Sequence, residues 1–502
     1  MAGDPKLISR EEVKERVSRG ELLVVHHTKV YKVPQSWLAH HPGGNLAILH
    51  FIGRDATDEI EAYHTSHTIE YRMAKWTIGT LAEEGWVPLV PPIQNAGRVD
   101  LELPPWHSTS LSMEREQRVA KSFRKFKRKV TDLGLLTRTD IFRGYGNDLI
   151  RLSILLSISI YFYITAQRAP LKSWSQFGSV GFAGIFFGLF WHQLTFIAHD
   201  AGHTGITGDW YKDRLWGIFI ADFIGGLSIG WWCDNHNVHH LVTNHPEHDP
   251  DIQHIPFFAL STKFFNSMWS TYYKRAMTFD SVSRIMVRMQ HKSYYFILAV
   301  ARVNLFANSY VFLFKNRHVQ GLPRKLLFLE LLALSLFWLW WGYGVVGHLP
   351  TVGTRWLFGF LAFITASPVH VQILLSHYSQ PTEDPGLLES FPSRQLRTTM
   401  DVDCPRYLDF LHGGLHMQVS HHLFPRIPRH NLRKVRSLLV EWCEQVRRED
   451  AQFGYKGDAL EYKAMGWIDG NKSVIAVLKN VAEQVKILGM VAEADAKGEL
   501  HH

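Results

Sequence analysis

Seven histidines stand at spacings that suit a metal site: His199 and His203 four residues apart, His236 and His240 likewise with His239 beside them, and His421 next to His422. On a helix, residues four apart share one face, and imidazole is a ligand for iron, zinc and copper. One histidine alone is most simply a polar surface residue, but three clusters with two or more each point to a metal site. Zinc is satisfied by about four ligands. Seven imidazoles are too many for one tetrahedral ion and suit two irons of higher coordination number. None of the three cysteines, Cys233, Cys404 and Cys443, lies in the clusters, which points away from iron–sulfur chemistry. A His-rich di-iron centre does oxygen chemistry on strong C–H bonds, so an oxidative enzyme is expected.

A second constellation lies near the start of the chain. Val24-Val25 and the run 29–33 read as short strands. Trp37 follows, then His41-Pro42-Gly43-Gly44, Gly53-Arg54-Asp55-Ala56-Thr57 and Tyr63-His64. Pro42 and the two glycines make a tight turn that presents His41 to a flat ligand. Two histidines on facing turns can clamp one haem iron from both sides. Taken in order, these residues resemble the cytochrome b5 domain, and the resemblance covers residues 1–85. It implies a small α+β domain holding haem b between His41 and His64, with His67 as the alternative second ligand. No Cys-x-x-Cys-His is present, so the haem is expected to be held without covalent attachment.

These sites need elements to position them. Within the 502 residues, the apolar runs 149–166, 177–198, 326–346 and 357–376 are long enough to span a bilayer, and they pair into two hairpins. The run 215–232 contains Asp222 and several glycines; the run 294–314 contains Arg302, Asn304 and Asn308. A charge in mid-span is expensive, so both are expected to be interfacial or re-entrant. Trp338, Trp340 and Trp341 fit an interface belt. Four spans leave the N-terminal domain, the segment 199–324 and everything after His377 on one side, where all the clusters can meet. One more span would put the third cluster across the membrane.

Lys and Arg exceed Asp and Glu by 54 − 46 = 8, a modest excess that suits anionic headgroups. The basic residues flank apolar segments, so no nucleic-acid partner is expected. Val119, Phe123, Phe126 and Val130 recur at helical spacing among Arg and Lys. That segment is expected to lie on the membrane surface and, by the positive-inside rule, to make its side cytosolic. Few scattered cysteines suggest a reducing compartment, and residues 1–6 lack the apolar core of a secretory signal. The expected organisation is a haem domain at 1–85, a Pro-rich linker at 86–113, a membrane domain at 114–450 and a cytosolic tail at 451–502.

The boxes His199-Asp-Ala-Gly-His203, His236-Asn-Val-His239-His240 and Gln418-Val-Ser-His421-His422 resemble those of membrane-bound three-histidine-box desaturases, specifically the cytochrome b5-fused front-end group. Gln418, where other groups have the first histidine of the third box, is the mark of that group. Ser228-Ile-Gly-Trp-Trp232 and the stretches 236–252 and 412–431 look most like the fungal sphingolipid Δ8 desaturases. The resemblance implies a mainly α fold, a four-helix membrane domain with a cytosolic cap. It implies two non-haem irons on His199, His203, His236, His239, His240, His421 and His422, with His377 from the end of the last span; His370, deeper, is a weaker candidate. Asp249, Asp251, Asp200 and Asn244 could orient imidazoles from behind, although capping explains each as well. Gln418 can offer a neutral oxygen, directly or through water.

The activity so implied is O₂-dependent removal of two hydrogens from neighbouring methylenes of the long-chain base of a ceramide or related lipid. Two electrons come from the substrate and two, one at a time, from the tethered haem domain. An NADH-dependent cytochrome b5 reductase and the endoplasmic reticulum membrane complete the expectation. A front-end desaturase of fatty acyl chains and a b5-fused lipid hydroxylase remain alternatives. A membrane-tethered electron carrier would leave the clustered histidines without metal.

Overall fold

In a computed structural model that describes residues 6–82, 112–383, 389–455 and 460–497, the N-terminal unit is a four-stranded sheet in the order β1-β4-β3-β2. Its strands are β1 (Leu7–Ile8), β2 (Leu23–His26), β3 (Lys29–Lys32) and β4 (Thr77–Leu81), antiparallel except for the β1–β4 pair. Ser9 Oγ caps α1 (Arg10–Ser18) by accepting from the Glu12 N–H, and α1 buries Val13 and Val17. The short α2 (Leu46–Leu49) and α3 (Thr57–Tyr63) close the other side over Val25, Val30 and Ile52. This is the small α+β domain expected. The Pro-rich linker lies, apart from residues 112 and 113, outside the described residues.

The basic amphipathic segment forms α4 (Met113–Asp132), but its apolar stripe does not face a membrane. Val119, Phe123, Phe126 and Val130 are buried against Phe391, Phe424 and Trp442. On its polar side, Arg124 pairs with Asp58 at 2.8 Å and Lys127 with Glu61 at 3.0 Å. The expected membrane-surface helix is instead a strut between the haem domain and the rest. An apolar stripe specifies that it is buried and not what buries it.

The membrane domain begins with α5 (Ile141–Arg168) and α6 (Trp174–Gly202), a tight hairpin. α7 (Trp210–Gly217) runs into a π-helical turn, and α8 (Ile229–Leu241) follows after a 114° bend. Past a short hairpin of β5 (Trp269–Ser270) and β6 (Arg275–Ala276) come α9 (Ser281–Lys315) and α10 (Leu322–Phe337), which continues π-helically to Val346. α11 (Val352–Ala366) and α12 (Pro368–Leu375) complete the last span. α6 and α11 lie parallel and close. A Cβ on Gly188 would stand 1.9 Å from Thr365 Oγ1 and 2.4 Å from the Ala362 carbonyl, so only glycine permits this approach.

Four spans were expected, yet among the described residues five helices are long and apolar enough, α9 being the addition. α9 is one unbroken helix of 35 residues. Near its start, Val287 and Tyr294 pack with Leu375 and Tyr378, flanking His377. Near its end, Ser309 Oγ accepts from the N–H of Ser228, the cap of α8. The far loops meet each other, where Gln167 Nε2 donates to the His348 carbonyl and Tyr163 Oη to that of Val345. Mid-helix Arg302 is buried over the Trp191 ring at 4.1 Å and donates to the Gly225 carbonyl. The run 215–232, expected to be interfacial or re-entrant, is bent by 114° between α7 and α8, whereas the run 294–314, expected likewise, lies on α9, which is long and apolar enough to cross, with Arg302 buried against protein.

The remaining chain forms the cap: α13 (Phe391–Thr398), β7 (Asp401–Asp403), α14 (Asp409–His412), α15 (Gln418–Leu423) and α16 (Leu432–Gln452). The segment expected as a tail is folded onto it. β8 (Ala464–Gly466) pairs in parallel with β7. α17 (Trp467–Ala496) runs antiparallel to α9 and buries Val474, Leu478, Val481 and Val485 there.

Candidate metal centre and haem pocket

Four segments deliver the clustered histidines. α6 ends at His199 and His203, α8 carries His236, His239 and His240, His377 follows α12, and α15 carries His421 and His422. All eight are between 0 and 7 % exposed. The ligand nitrogens of His199, His203, His236 and His421 lie within 4.8 Å of one another, and so do those of His239, His377 and His422. His240 sits between the groups. Its Nε2 is 3.1 Å from the Nε2 atoms of both His236 and His421, and its ring stacks on His422 at 4.0 Å. Lone pairs at that distance repel unless a proton or a cation lies among them. His199 Nδ1, both nitrogens of His203, and the Nε2 atoms of His239 and His422 are buried without a hydrogen-bond partner. Such atoms are costly in a finished core, and metal ions would satisfy them, so the donor set fits.

The polar groups behind the rings set which nitrogen faces inward. His239 Nδ1–H donates to Asp249 at 2.8 Å, His236 Nδ1–H to Asp251 at 3.2 Å, His377 Nδ1–H to the Thr398 carbonyl at 3.1 Å and His422 Nδ1–H to Gln395 Oε1 at 2.9 Å. Each Nε2 is thereby left as the free donor atom. Asp249 is held in turn by the N–H groups of Asn244 and Asp251. Burial first, and then the neighbouring imidazoles (His239, His199 and His377 respectively), push His377, His421 and His422 well below the ordinary histidine pKa. They are neutral, the form that ligates metal.

Other expected residues fall differently. Asn244 sits in a left-handed turn, φ 60°, and its Nδ2 donates to the His377 carbonyl, not to an imidazole. Asp200 accepts from Arg429 and Tyr145, with His199 Nδ1 at 3.6 Å. Gln418 Oε1 is buried without a partner. His370 donates to the Leu298 carbonyl, away from the cluster, and His67 is exposed and stacked on Tyr71. Gln395 and Thr398 went unnoticed in the sequence, since lone residues on α13 carry no spacing signal.

The rings of His41 and His64 face each other, centres 6.0 Å apart. Each Nδ1–H donates to a main-chain carbonyl at 2.9 Å, of Gly44 and Ile60 respectively, which frees both Nε2 atoms. With metal–nitrogen bonds of about 2 Å on either side, rings flanking one ion stand roughly 6 Å apart, so the pair fits a haem iron. Burial lowers both, His64 to about 4 with the help of His41. A cavity of about 530 Å³ opens around them, with Trp37, Phe51 and Trp76 on one side and His203, Asn237 and Arg426 of the membrane domain on the other. The domains meet closely there. Gly44, at φ 83°, would carry a Cβ 2.6 Å from Asp234 Oδ1, and Leu46 packs on Val238 of α8 and on Val242 just after it.

Residues 176–453 match the family model described as fatty acid desaturase, and residues 9–82 match that of the cytochrome b5-like haem/steroid binding domain. A Delta 8-(E)-sphingolipid desaturase from Emericella nidulans is 39% identical, over 96% of this chain and 95% of its own length. One of the same name from Komagataella phaffii is 38% identical, over 96% and 94%. A Delta(8)-fatty-acid desaturase 2 from Arabidopsis thaliana is 31% identical, also over 96% and 94%.

Proposed function

The chain belongs to the fatty acid desaturase family, with a cytochrome b5-like domain fused at its N-terminus, and from that premise we propose that it introduces a Δ8 double bond into the long-chain base of a sphingolipid. The observation that carries this is the meeting of eight buried histidines, seven in two adjoining groups and His240 between them, beside the haem pocket. The substrate class follows the fungal relatives, whose names state it and whose similarity runs the length of both chains. Two irons on His199, His203, His236, His239, His240, His377, His421 and His422 supply O₂ activation and hydrogen removal when bound, and haem b between His41 and His64 supplies single electrons.

The protein's own groups do the rest. Asp249, Asp251, Gln395 and the Thr398 carbonyl hold four of the imidazoles in one tautomer. Gln418 Oε1 offers a neutral oxygen, directly or through water. The ion pairs from α4 hold the haem domain in place, and Leu46 packs on Val238 of α8, so no diffusive encounter precedes electron delivery. The multi-pass chain sits in the endoplasmic reticulum membrane with the haem domain and histidines on the cytosolic face, where an NADH-dependent cytochrome b5 reductase supplies the electrons.

The test is expression in a host lacking the activity, followed by fragmentation of its lipids. Loss of two hydrogens confined to the long-chain base is expected. Loss confined to acyl chains would replace this with acyl desaturation, the activity in the plant relative's name. Gain of oxygen would replace it with hydroxylation, and unchanged lipids with haem as the sole iron would indicate an electron carrier.

A further inference from the structure

The membrane domain supplies one wall of the haem cavity, and that wall carries a half-buried cation whose Nε has no hydrogen-bond partner among the described residues. Arg426 follows α15 and lines the cavity that also holds His41 and His64. Its Nε is buried without a hydrogen-bond partner, and among the described residues no carboxylate pairs with it. The adjoining Arg138 is engaged, since its Nη2 donates to the carbonyls of Thr204 and Arg426 at 2.9 and 3.0 Å. Asp213, the carboxylate facing both arginines, already accepts from the Thr207 N–H and hydroxyl and from the Gly208 N–H. Burial, with Arg138 alongside, pulls Arg426 down to about 10, and its charge is felt at His64. Two further arginines line the cavity. Arg214 stands 3.6 Å from Glu330, and Arg72 is exposed to solvent. A guanidinium nitrogen buried without a partner is costly unless an acceptor completes it, and a carboxylate does so best.

Haem b carries two carboxylates on one edge, and planar guanidinium recognises carboxylate well. We propose that Arg426, from the membrane domain, binds a haem propionate. This rests on the haem reading of His41 and His64. The haem is then clamped by both domains, its iron by the two histidines and its acidic edge by Arg426. Two consequences follow. Haem uptake strengthens docking of the haem domain, and a retained cation near the iron favours the ferrous form.

The experiment uses the full chain reconstituted with haem b or with haem dimethyl ester, whose propionates are blocked. Haem release is measured by transfer to apomyoglobin, and the midpoint potential by spectroelectrochemistry. Arg426→Gln should release haem at least about tenfold faster, the scale of one charge-assisted hydrogen bond, while Arg426→Lys keeps most of the affinity. At a fixed poise, Arg426→Gln should raise the ferric-to-ferrous ratio about threefold, ~28 mV from 59 mV per tenfold for one electron. Wild-type protein should release the dimethyl ester faster than haem b, and in Arg426→Gln that difference should vanish. The ester comparison on wild type needs no variant to fold. Equal release of both haems from wild type, or an ester effect undiminished in Arg426→Gln, overturns the proposal. A wild-type chain that takes up no haem at all removes the haem reading itself, and this proposal with it.

Discussion

The ring of Tyr63 stands edge-on to the ring of His240, centres 6.4 Å apart and planes at 86°. Tyr63 precedes His64 of the haem pocket, and His240 lies between the two groups of the metal cluster, so this contact is a short bridge between the sites. Removing the ring leaves a gap with no atoms to span it, so Tyr63→Ala should slow re-oxidation of the ferrous haem by roughly tenfold or more. Tyr63→Phe should not, because the Tyr63 hydroxyl has no partner to lose. Stopped-flow spectroscopy after a pulse of O₂ reads this directly. Equal rates in all three proteins would place the electron path elsewhere.

His203, His239 and His421 come from three different segments, none of them in the haem domain. Each change to Ala should abolish desaturation and lower non-haem iron while the haem spectrum persists. His41→Ala or His64→Ala should do the reverse, removing the haem spectrum with non-haem iron retained. Metal analysis with an optical spectrum separates the cases, and wild-type turnover in a box variant would strike that histidine from the ligand set.

Asp249 and Gln395 act only through the imidazoles they hold. Asp249→Asn and Gln395→Ala should each lower activity or iron affinity by about 10–100-fold, the usual cost of losing a group behind a metal-bound histidine. Iron titration of the purified variants checks this. Unchanged affinity and turnover would mean that ring orientation is set by packing alone.

Burial, and then the charge of Asp58, raise the Glu59 carboxyl from the ordinary 4.5 to about 7. The folded chain therefore binds this proton more tightly than the unfolded chain does. The stabilisation is present below about pH 4.5 and is lost as pH rises through about 7. Glu59→Gln should flatten that decline in thermal melts of the full chain; parallel melting curves across the window would contradict it.

Ser173 and Thr351 cap α6 and α11, which run parallel, and so lie together at the end of the bundle away from the histidines. Tags inserted beside either residue should label from the lumen, and tags at the chain termini from the cytosol. A terminus and one of these loops labelling from the same side would break the four-span arrangement.

What was legible beforehand was whatever depends on the order of residues along one helix. Four-residue spacing puts His199 with His203 and His236 with His240 on one face wherever the helix sits. A mid-span charge argued against membrane crossing at Asp222 and Arg302; the first segment is bent by 114°, while the second is one unbroken helix whose Arg302 is buried against protein. Asp249 and Asp251 lie close in sequence to the histidines they hold, so a short loop suffices to bring them there.

Tertiary structure decided whatever depends on which surface covers a side chain. The stripe of α4 reads the same whether lipid or Phe424 and Trp442 bury it, and only the fold chose protein. The segment beyond residue 450 shows no pattern that reveals its pairing with β7 or its packing on α9. Asp200 and Asn244 are short polar side chains beside histidines, yet Arg429 claims one and the His377 carbonyl the other. Gln395 and Arg426 announce nothing in the sequence, because a single residue has no period, and Tyr63 reads there only as the residue before His64. Their roles come from partners far along the chain, and chain order alone cannot specify a contact whose geometry is set by how whole helices pack.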